Sequence, residues 1–233
     1  MAGSLPKESV GENQPQVFTP GSAGQNRHTY RVLLYVPNLI GYGRLILLLL
    51  AFWSLPSTPS SFILFYSISI TLDGFDGYAA RKLHQCSLFG AWFDIILDNL
   101  SRGLLWAHLH PMLYLVSALE WTTFVCTHHL GAEWKNSLNQ RDHHPPHFIS
   151  CILSNNFRNP LGIWTIAGLH VLPVWLMGIK YEVFASHLWF LPQVLQPAGL
   201  IVLGVGRLLC GITEVWTIAI HVSDLLVNTS PCS

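Results

Sequence analysis

The chain has 233 residues, 51% of them hydrophobic and only 10% Asp, Glu, Lys or Arg, with a mean hydropathy of +0.40. Ordinary globular domains carry roughly 25% charged residues, so a soluble protein of this size could not cover its surface, and a polytopic membrane protein is expected. Twelve Lys and Arg balance twelve Asp and Glu, leaving no net charge to draw nucleic acid, and five Cys without paired spacing argue against a disulfide framework or a zinc knuckle.

Residues 1–30 are polar, rich in Pro, Gly, Ser and Gln, and read as a disordered cytoplasmic tail. No charged segment leads into an apolar stretch with a small-residue cleavage site, so no signal peptide is expected. A membrane span needs about 20 mostly apolar residues. Six candidates follow, at about 33–54, 61–79, 88–108, 111–130, 161–179 and 197–222. Pro37, Pro160 and Pro197 sit where proline loses no intrahelical bond, at helix starts, and Pro173 inside the fifth span predicts a kink. Residues 131–159 are polar and His-rich and read as the one long loop. The expected fold is therefore all-α, a six-helix transmembrane domain over 31–225 with a short C-terminal tail over 226–233.

Orientation follows from Lys and Arg in the short loops. With the N-terminus inside, the inner side carries Lys7, Arg27, Arg31, Arg81, Lys82, Lys135, Arg141 and Arg158, and the outer side only Lys180. Both termini are expected to be cytoplasmic, which leaves the Asn228-Thr229-Ser230 sequon unmodified. The paired histidines (His108 and His110, His128 and His129, His143, His144 and His147) have no second half of a closed zinc set and read as loop and interfacial residues.

Four of the six Asp lie between residues 73 and 98, at the end of the second span and within the third. An Asp at the centre of a span costs about 2.5–3.5 kcal/mol on insertion scales, so these residues are expected to face a wet cavity and to be compensated by cations. Asp73 and Asp76 are spaced i,i+3, and Asp94 and Asp98 i,i+4, so each pair shares a helical face. The short link from Arg81 to Ser87 predicts antiparallel neighbouring helices with both pairs converging at the cytoplasmic end. Four carboxylates in one pocket repel; Arg81 alone is too little, and one or two divalent cations would suffice. Hard oxygen ligands favour Mg²⁺, or Mn²⁺. Gly74, Gly77 and Gly90 permit close approach of a ligand or helix, and Arg81 offers an anion donor, so the stretch predicts a metal-assisted pyrophosphate site. Arg44 and Arg207 fall within spans, where they either pair helices or face the cavity. Arg102 is spaced to pair with Asp98.

The run Asp73-x2-Asp76-Gly77-x2-Ala80-Arg81-x8-Gly90-x3-Asp94-x3-Asp98 resembles the signature of the CDP-alcohol phosphatidyltransferase family at every defined position. Upstream, Val36-Pro37-Asn38-Leu39-Ile40-Gly41-Tyr42-Gly43-Arg44 is similar to the opening of eukaryotic phosphatidylinositol synthases, as is Ala79-Ala80-Arg81 with Leu83 and Gln85. The resemblance implies a six-helix homodimer of the endoplasmic reticulum membrane whose active site faces the cytoplasm. It implies transfer of a phosphatidyl group from CDP-diacylglycerol to myo-inositol, releasing CMP. It further implies that Asp73, Asp76, Asp94 and Asp98 hold two divalent metals, that Asp98 is the general base, and that Gly77, Arg81 and Ser87 contact CDP-diacylglycerol. Three places differ: an Arg commonly follows the last Asp where this chain has Asn99, the fourth span reads Leu119-Glu120-Trp121-Thr122-Thr123-Phe124-Val125-Cys126-Thr127-His128-His129 where the synthases have Asp and His, and an Arg-Pro near the start of the fifth span is displaced into Arg158-Asn159-Pro160. Another alcohol acceptor, or a non-catalytic CDP-lipid-binding relative, therefore stands beside inositol transfer as an alternative.

Overall fold

The computed structural model describes residues 30–128, 145–187 and 194–227. The expected N-terminal tail up to residue 29, the His129, His143 and His144 positions, and the glycosylation sequon lie outside the described residues. Among the described residues the fold is all-helical, with no strand. Its α-helices are α1 (Val36–Ser54), α2 (Pro59–Lys82), α3 (Leu88–Leu109), α4 (Tyr114–Thr127), α5 (His147–Leu153), α6 (Pro160–Lys180), α7 (Val183–His187) and α8 (Leu195–Val227). The 131–159 loop is corrected in part: apolar His147–Leu153 closes one short helix, followed by a 3-10 turn over Ser154–Phe157.

Proline and polar caps set the starts. Pro37 and Pro59 occupy the first turns of α1 and α2, and the Asn159 side chain accepts from Gly162 N–H at the start of α6. The α6 helix stays helical through buried Pro173. Three helices, α1, α6 and α8, are long and apolar enough to cross a membrane. Helices α2 and α3 have the length but carry the Asp and Arg residues. Helix α4 has 14 residues, about 21 Å at 1.5 Å per residue, against a hydrocarbon core of about 30 Å.

Two tight pairs organise the bundle, α1 with α2 and α6 with α8, and α3 joins them by packing on α1, α4 and α6. The first pair is cemented by Leu48, Ala51 and Leu55 of α1 against Phe62 and Tyr66 of α2, with Leu105 and Met177 closing the cluster. In the second pair the backbones touch. A Cβ on Gly168 would lie 2.3 Å from the Arg207 nitrogen, and one on Gly206 would lie 2.5 Å from the Trp164 carbonyl oxygen. Small residues at a crossing let helices approach closely where lipid supplies no hydrophobic drive for association.

The short link makes α2 and α3 neighbours in the chain without packing them on each other. Despite their short link, they make little contact along their lengths; α1 packs against both. This matters for the site, because a residue of α1 then stands between the two acidic helices.

At the α6–α8 crossing the obstacle is backbone, which cannot swing aside. Gly168→Ala is expected to destabilise the fold by about 1–3 kcal/mol through overpacking, seen as a lower melting temperature of the detergent-purified protein. An unchanged melting temperature would mean the crossing is looser than described.

Candidate active site

The acidic residues reach one place because each helix buries a stripe. On α1 the buried positions are Asn38, Gly41, Arg44, Leu48 and Ala51; on α2 they are Phe62, Tyr66, Ser69 and Asp76. Both follow the i,i+3/i+4 rule for one helical face. Arg44 therefore points inward from α1 toward the C-terminal end of α2 and the N-terminal half of α3.

Its guanidinium ends in the middle of all four carboxylates. Arg44 Nη1 lies 2.8 Å from Asp73 Oδ1, 2.8 Å from Asp76 Oδ2 and 2.6 Å from Asp94 Oδ1, and Nη2 lies 2.7 Å from Asp98 Oδ1. One Nη group carries two protons, yet three carboxylate oxygens surround Nη1. An arrangement with more acceptors than protons suits a spherical cation better than a hydrogen-bond donor. Ligand oxygens of Asp73, Asp76 and Asp94 lie within 4.8 Å of one another, and no sulfur or imidazole is among them. Such a donor set fits Mg²⁺ or Mn²⁺. The Arg44 Nε is buried with no partner, so this guanidinium is held by charge attraction at one edge only.

Asp98 differs from the other three. Its Oδ1 faces Arg44, but its Oδ2 faces the opposite way, 3.2 Å from Arg102 Nη1 and 3.1 Å from His170 Nε2. His170 Nδ1 lies 3.1 Å from the Ile166 carbonyl oxygen, which can only accept, so that nitrogen carries the proton. Nε2 is then free to accept from Arg102 Nη1 at 2.9 Å. Arg102 continues into a buried network: its Nε donates to Glu120 Oε2 at 2.8 Å, Arg207 Nη2 pairs with Glu120 Oε1 at 3.4 Å, and Arg207 Nη1 donates to Glu214 Oε2 at 2.9 Å.

Beside the cluster opens a cavity of about 210 Å³ lined by residues including Asn38, Gly77, Arg81, Ser87, Gly90 and Asp94. A Cβ on Gly77 would meet the Arg81 guanidinium at 3.4 Å, so the bare backbone lets that cation lie along the helix. At Gly90 a Cβ would come within 2.8 Å of Asn38 Oδ1, and its absence brings α3 against α1. Ser87 caps α3, its Oγ accepting from Gly90 N–H at 3.0 Å. The first N–H groups of that helix lack intrahelical partners, and the N-terminus of a 22-residue helix at the cavity wall favours an anion. Gln85 Oε1 accepts from Val36 N–H at 2.8 Å, tying the α2–α3 turn to the start of α1.

All seven residues singled out from the sequence, Asp73, Asp76, Gly77, Arg81, Ser87, Asp94 and Asp98, are thus brought to one end of the bundle, the carboxylates in one cluster and the others around the adjoining cavity. The cation among the carboxylates is Arg44, whereas Arg81 is exposed on the cavity side. The Asp98–Arg102 pair is present; Arg207 pairs helices and stays away from the acidic cluster. His170 lies outside the histidine clusters of the sequence. Its only signal was a polar ring alone within an apolar helix.

Residues 34–133 match the CDP-alcohol phosphatidyltransferase family. The chain is 40% identical over 94 residues to the CDP-diacylglycerol--inositol 3-phosphatidyltransferase of Candida albicans, covering 40% of each protein. It is 37% identical over 102 residues to the Rattus norvegicus protein of the same name (42% of this chain, 48% of the relative) and 42% identical over 78 residues to that of Homo sapiens (34% and 37%). The chain thus spans less than half the length of these curated relatives. No solved structure matches. The matched region contains α1 to α4, hence the whole carboxylate cluster and its cavity, and over that region the chain is similar to the CDP-alcohol phosphatidyltransferase family.

Proposed function

We propose that this chain transfers a phosphatidyl group from CDP-diacylglycerol to myo-inositol, giving phosphatidylinositol and CMP. The observation that carries the reading is the convergence of Asp73, Asp76, Asp94 and Asp98 on one cation position beside a cavity walled by Arg81, Gly77 and a helix N-terminus. The inositol acceptor is supported by the names of the relatives that match this stretch.

Two divalent cations, Mg²⁺ or Mn²⁺, held by Asp73, Asp76, Asp94 and Asp98, supply charge stabilisation to the pyrophosphate and to the departing CMP. Arg81 and the α3 N-terminus bind the pyrophosphate, Gly77 leaves room for its approach, and Ser87 contributes a hydroxyl at the nucleotide end. Asp98 accepts the proton of the inositol hydroxyl. The hydroxyl oxygen forms a bond to the phosphorus that carries diacylglycerol, the bond from that phosphorus to CMP breaks, and CMP leaves with the electron pair. A sugar-alcohol hydroxyl is a weak nucleophile at neutral pH, and a positioned base contributes about 10²–10⁴-fold. A lipid-linked donor accounts for carboxylates placed among membrane helices, where ionisable residues mark functional sites.

The same reading takes α1, α2, α3, α6 and α8, with α4 lengthened by the 3-10 turn over Pro111–Leu113 that runs into it, as six membrane-crossing helices with cytoplasmic termini. It places the enzyme as a homodimer in the endoplasmic reticulum membrane with the site open to the cytoplasm. The many large apolar side chains left exposed, Trp53, Leu88 and Leu208 among them, suit contact with lipid.

The test is CMP release by the purified protein from CDP-diacylglycerol with inositol, serine or glycerol phosphate as acceptor. Release is expected with inositol, to vanish in EDTA and to return with Mg²⁺ or Mn²⁺; release with another alcohol and none with inositol would overturn the acceptor. Asp98→Asn is expected to lower the rate by about 10²-fold or more while CDP binding measured by calorimetry persists. Full activity in that variant would remove Asp98 from its role. Arg44 supplies the protein's own positive charge inside the cluster, so Arg44→Gln should widen the gap between melting temperatures measured in EDTA and in Mg²⁺. An unchanged gap would mean that Arg44 does not share the carboxylates with the cation.

A further inference from the structure

The buried charges beyond the carboxylate cluster are not used by the reaction as written, and they converge on one guanidinium. Arg102 is 6% exposed, and each of its three nitrogens is engaged. Nη1 faces Asp98 Oδ2 at 3.2 Å and His170 Nε2 at 2.9 Å; Nη2 donates to Asn99 Oδ1 at 2.7 Å; Nε donates to Glu120 Oε2 at 2.8 Å. Asn99 and Glu120 both lie where this chain departs from the pattern it otherwise resembles. Both serve the same side chain.

We propose that Arg102 is a positioning residue for Asp98, with Asn99, Glu120 and His170 fixing the orientation of its fork. The inference rests on the reading of Asp98 as the base. A carboxylate on a helix can turn about its last torsion, and the two oxygens of Asp98 face different partners. Arg102 holds Oδ2 through Nη1, whose second proton goes to His170 Nε2, and this leaves Oδ1 turned toward Arg44 and the other three carboxylates. Glu120, itself 5% exposed, is the anchor from α4. Its second oxygen is held by Arg207, which Glu214 balances about two turns along α8. Arg102, Glu120, Arg207 and Glu214 alternate in sign and sum to zero, so the chain of contacts neutralises itself across α3, α4 and α8 and leaves Asp98 its own charge. A planar fork with donors at fixed angles can hold these partners at once, whereas the single ammonium of a lysine cannot.

The experiment uses the full chain in lipid nanodiscs and compares Arg102→Lys, Glu120→Gln and His170→Phe with the unaltered protein. Active sites are counted by Mg²⁺-dependent CDP binding, so that loss of folded protein is divided out. CMP release per CDP-binding site is expected to fall about 10-fold or more in Arg102→Lys, as for a reacting group misplaced by a fraction of an ångström, and by a smaller factor in the other two. KM for CDP-diacylglycerol is expected to stay within about twofold, because the nucleotide cavity is on the other side of the cluster. In the Asp98→Asn background Arg102→Lys should change the residual rate by less than about twofold, since the group it positions is gone. Unchanged release per site, or full additivity with Asp98→Asn, overturns the role and leaves Arg102 as a helix-to-helix tie. If Arg102→Lys does not fold, Glu120→Gln, which keeps shape and removes charge, decides by the same criteria. Absence of CMP release from the unaltered protein with every alcohol overturns the phosphatidyl-transfer reading, and this role with it; loss confined to the variants speaks to the role alone.

Discussion

The site depends on one attraction, that between the Arg44 guanidinium and four carboxylates from two helices that scarcely touch each other. Four negative charges this close to one another cannot stay together in a low-dielectric setting without compensation. Arg44 supplies one positive charge, and Asp98 gains a second partner in Arg102. Arg102 is itself matched by Glu120, so the four carboxylates share one net positive charge, and three of them, Asp73, Asp76 and Asp94, crowd a single Nη group. The charge deficit and the over-supply of acceptors thus point to the same spot. That is the physical reason to place divalent cations there and to give Asp98 a different task.

The scaffold follows from this requirement. With α1 between the acidic helices, its polar features acquire specific uses: Arg44 bridges the two, Asn38 meets α3 where Gly90 has no side chain, and Val36 N–H is held by Gln85 from the α2–α3 turn. That turn passes through His84 with φ of 54°, a left-handed conformation, so the chain reverses sharply while α2 and α3 splay. The opening left between them is the cavity bounded by Gly77, Arg81 and Ser87. A direct α2–α3 packing would have filled that space with side chains.

Much of this was legible beforehand, for reasons of spacing. The i,i+3 and i,i+4 intervals of the Asp pairs fixed which faces they share, and the short link fixed that both pairs lie at one end. What spacing could not give was which helix fills the gap. The choice of Arg44 over Arg81 as the buried counter-charge depends on the rotation of α1 about its axis, set by Gly41, Leu48 and Ala51 packing inward. The apolar composition of α1 hid that register, since nearly every position on it is hydrophobic and either face could have been the buried one. His170 was hidden for the opposite reason: it is a single polar ring in an apolar helix, and its partner lies 72 residues away in sequence. The 131–159 stretch read as loop because its His and Pro residues dominate the composition, yet Phe148, Ile149, Ile152 and Leu153 are spaced for one helical face, and three of them are buried.

Two residues at which the chain departs from the resembled pattern, Asn99 and Glu120, meet at one side chain. Position 99 is buried, and the group it presents to Arg102 is an acceptor, the Asn99 side-chain oxygen. An arginine there would set donor against donor and add a positive charge to a network whose members otherwise cancel. A buried guanidinium needs its charge matched and its N–H groups satisfied, and Glu120 supplies both from α4. Asn99 and Glu120 thus serve one guanidinium, and the cation beside Asp98 is Arg102, one helical turn further along α3.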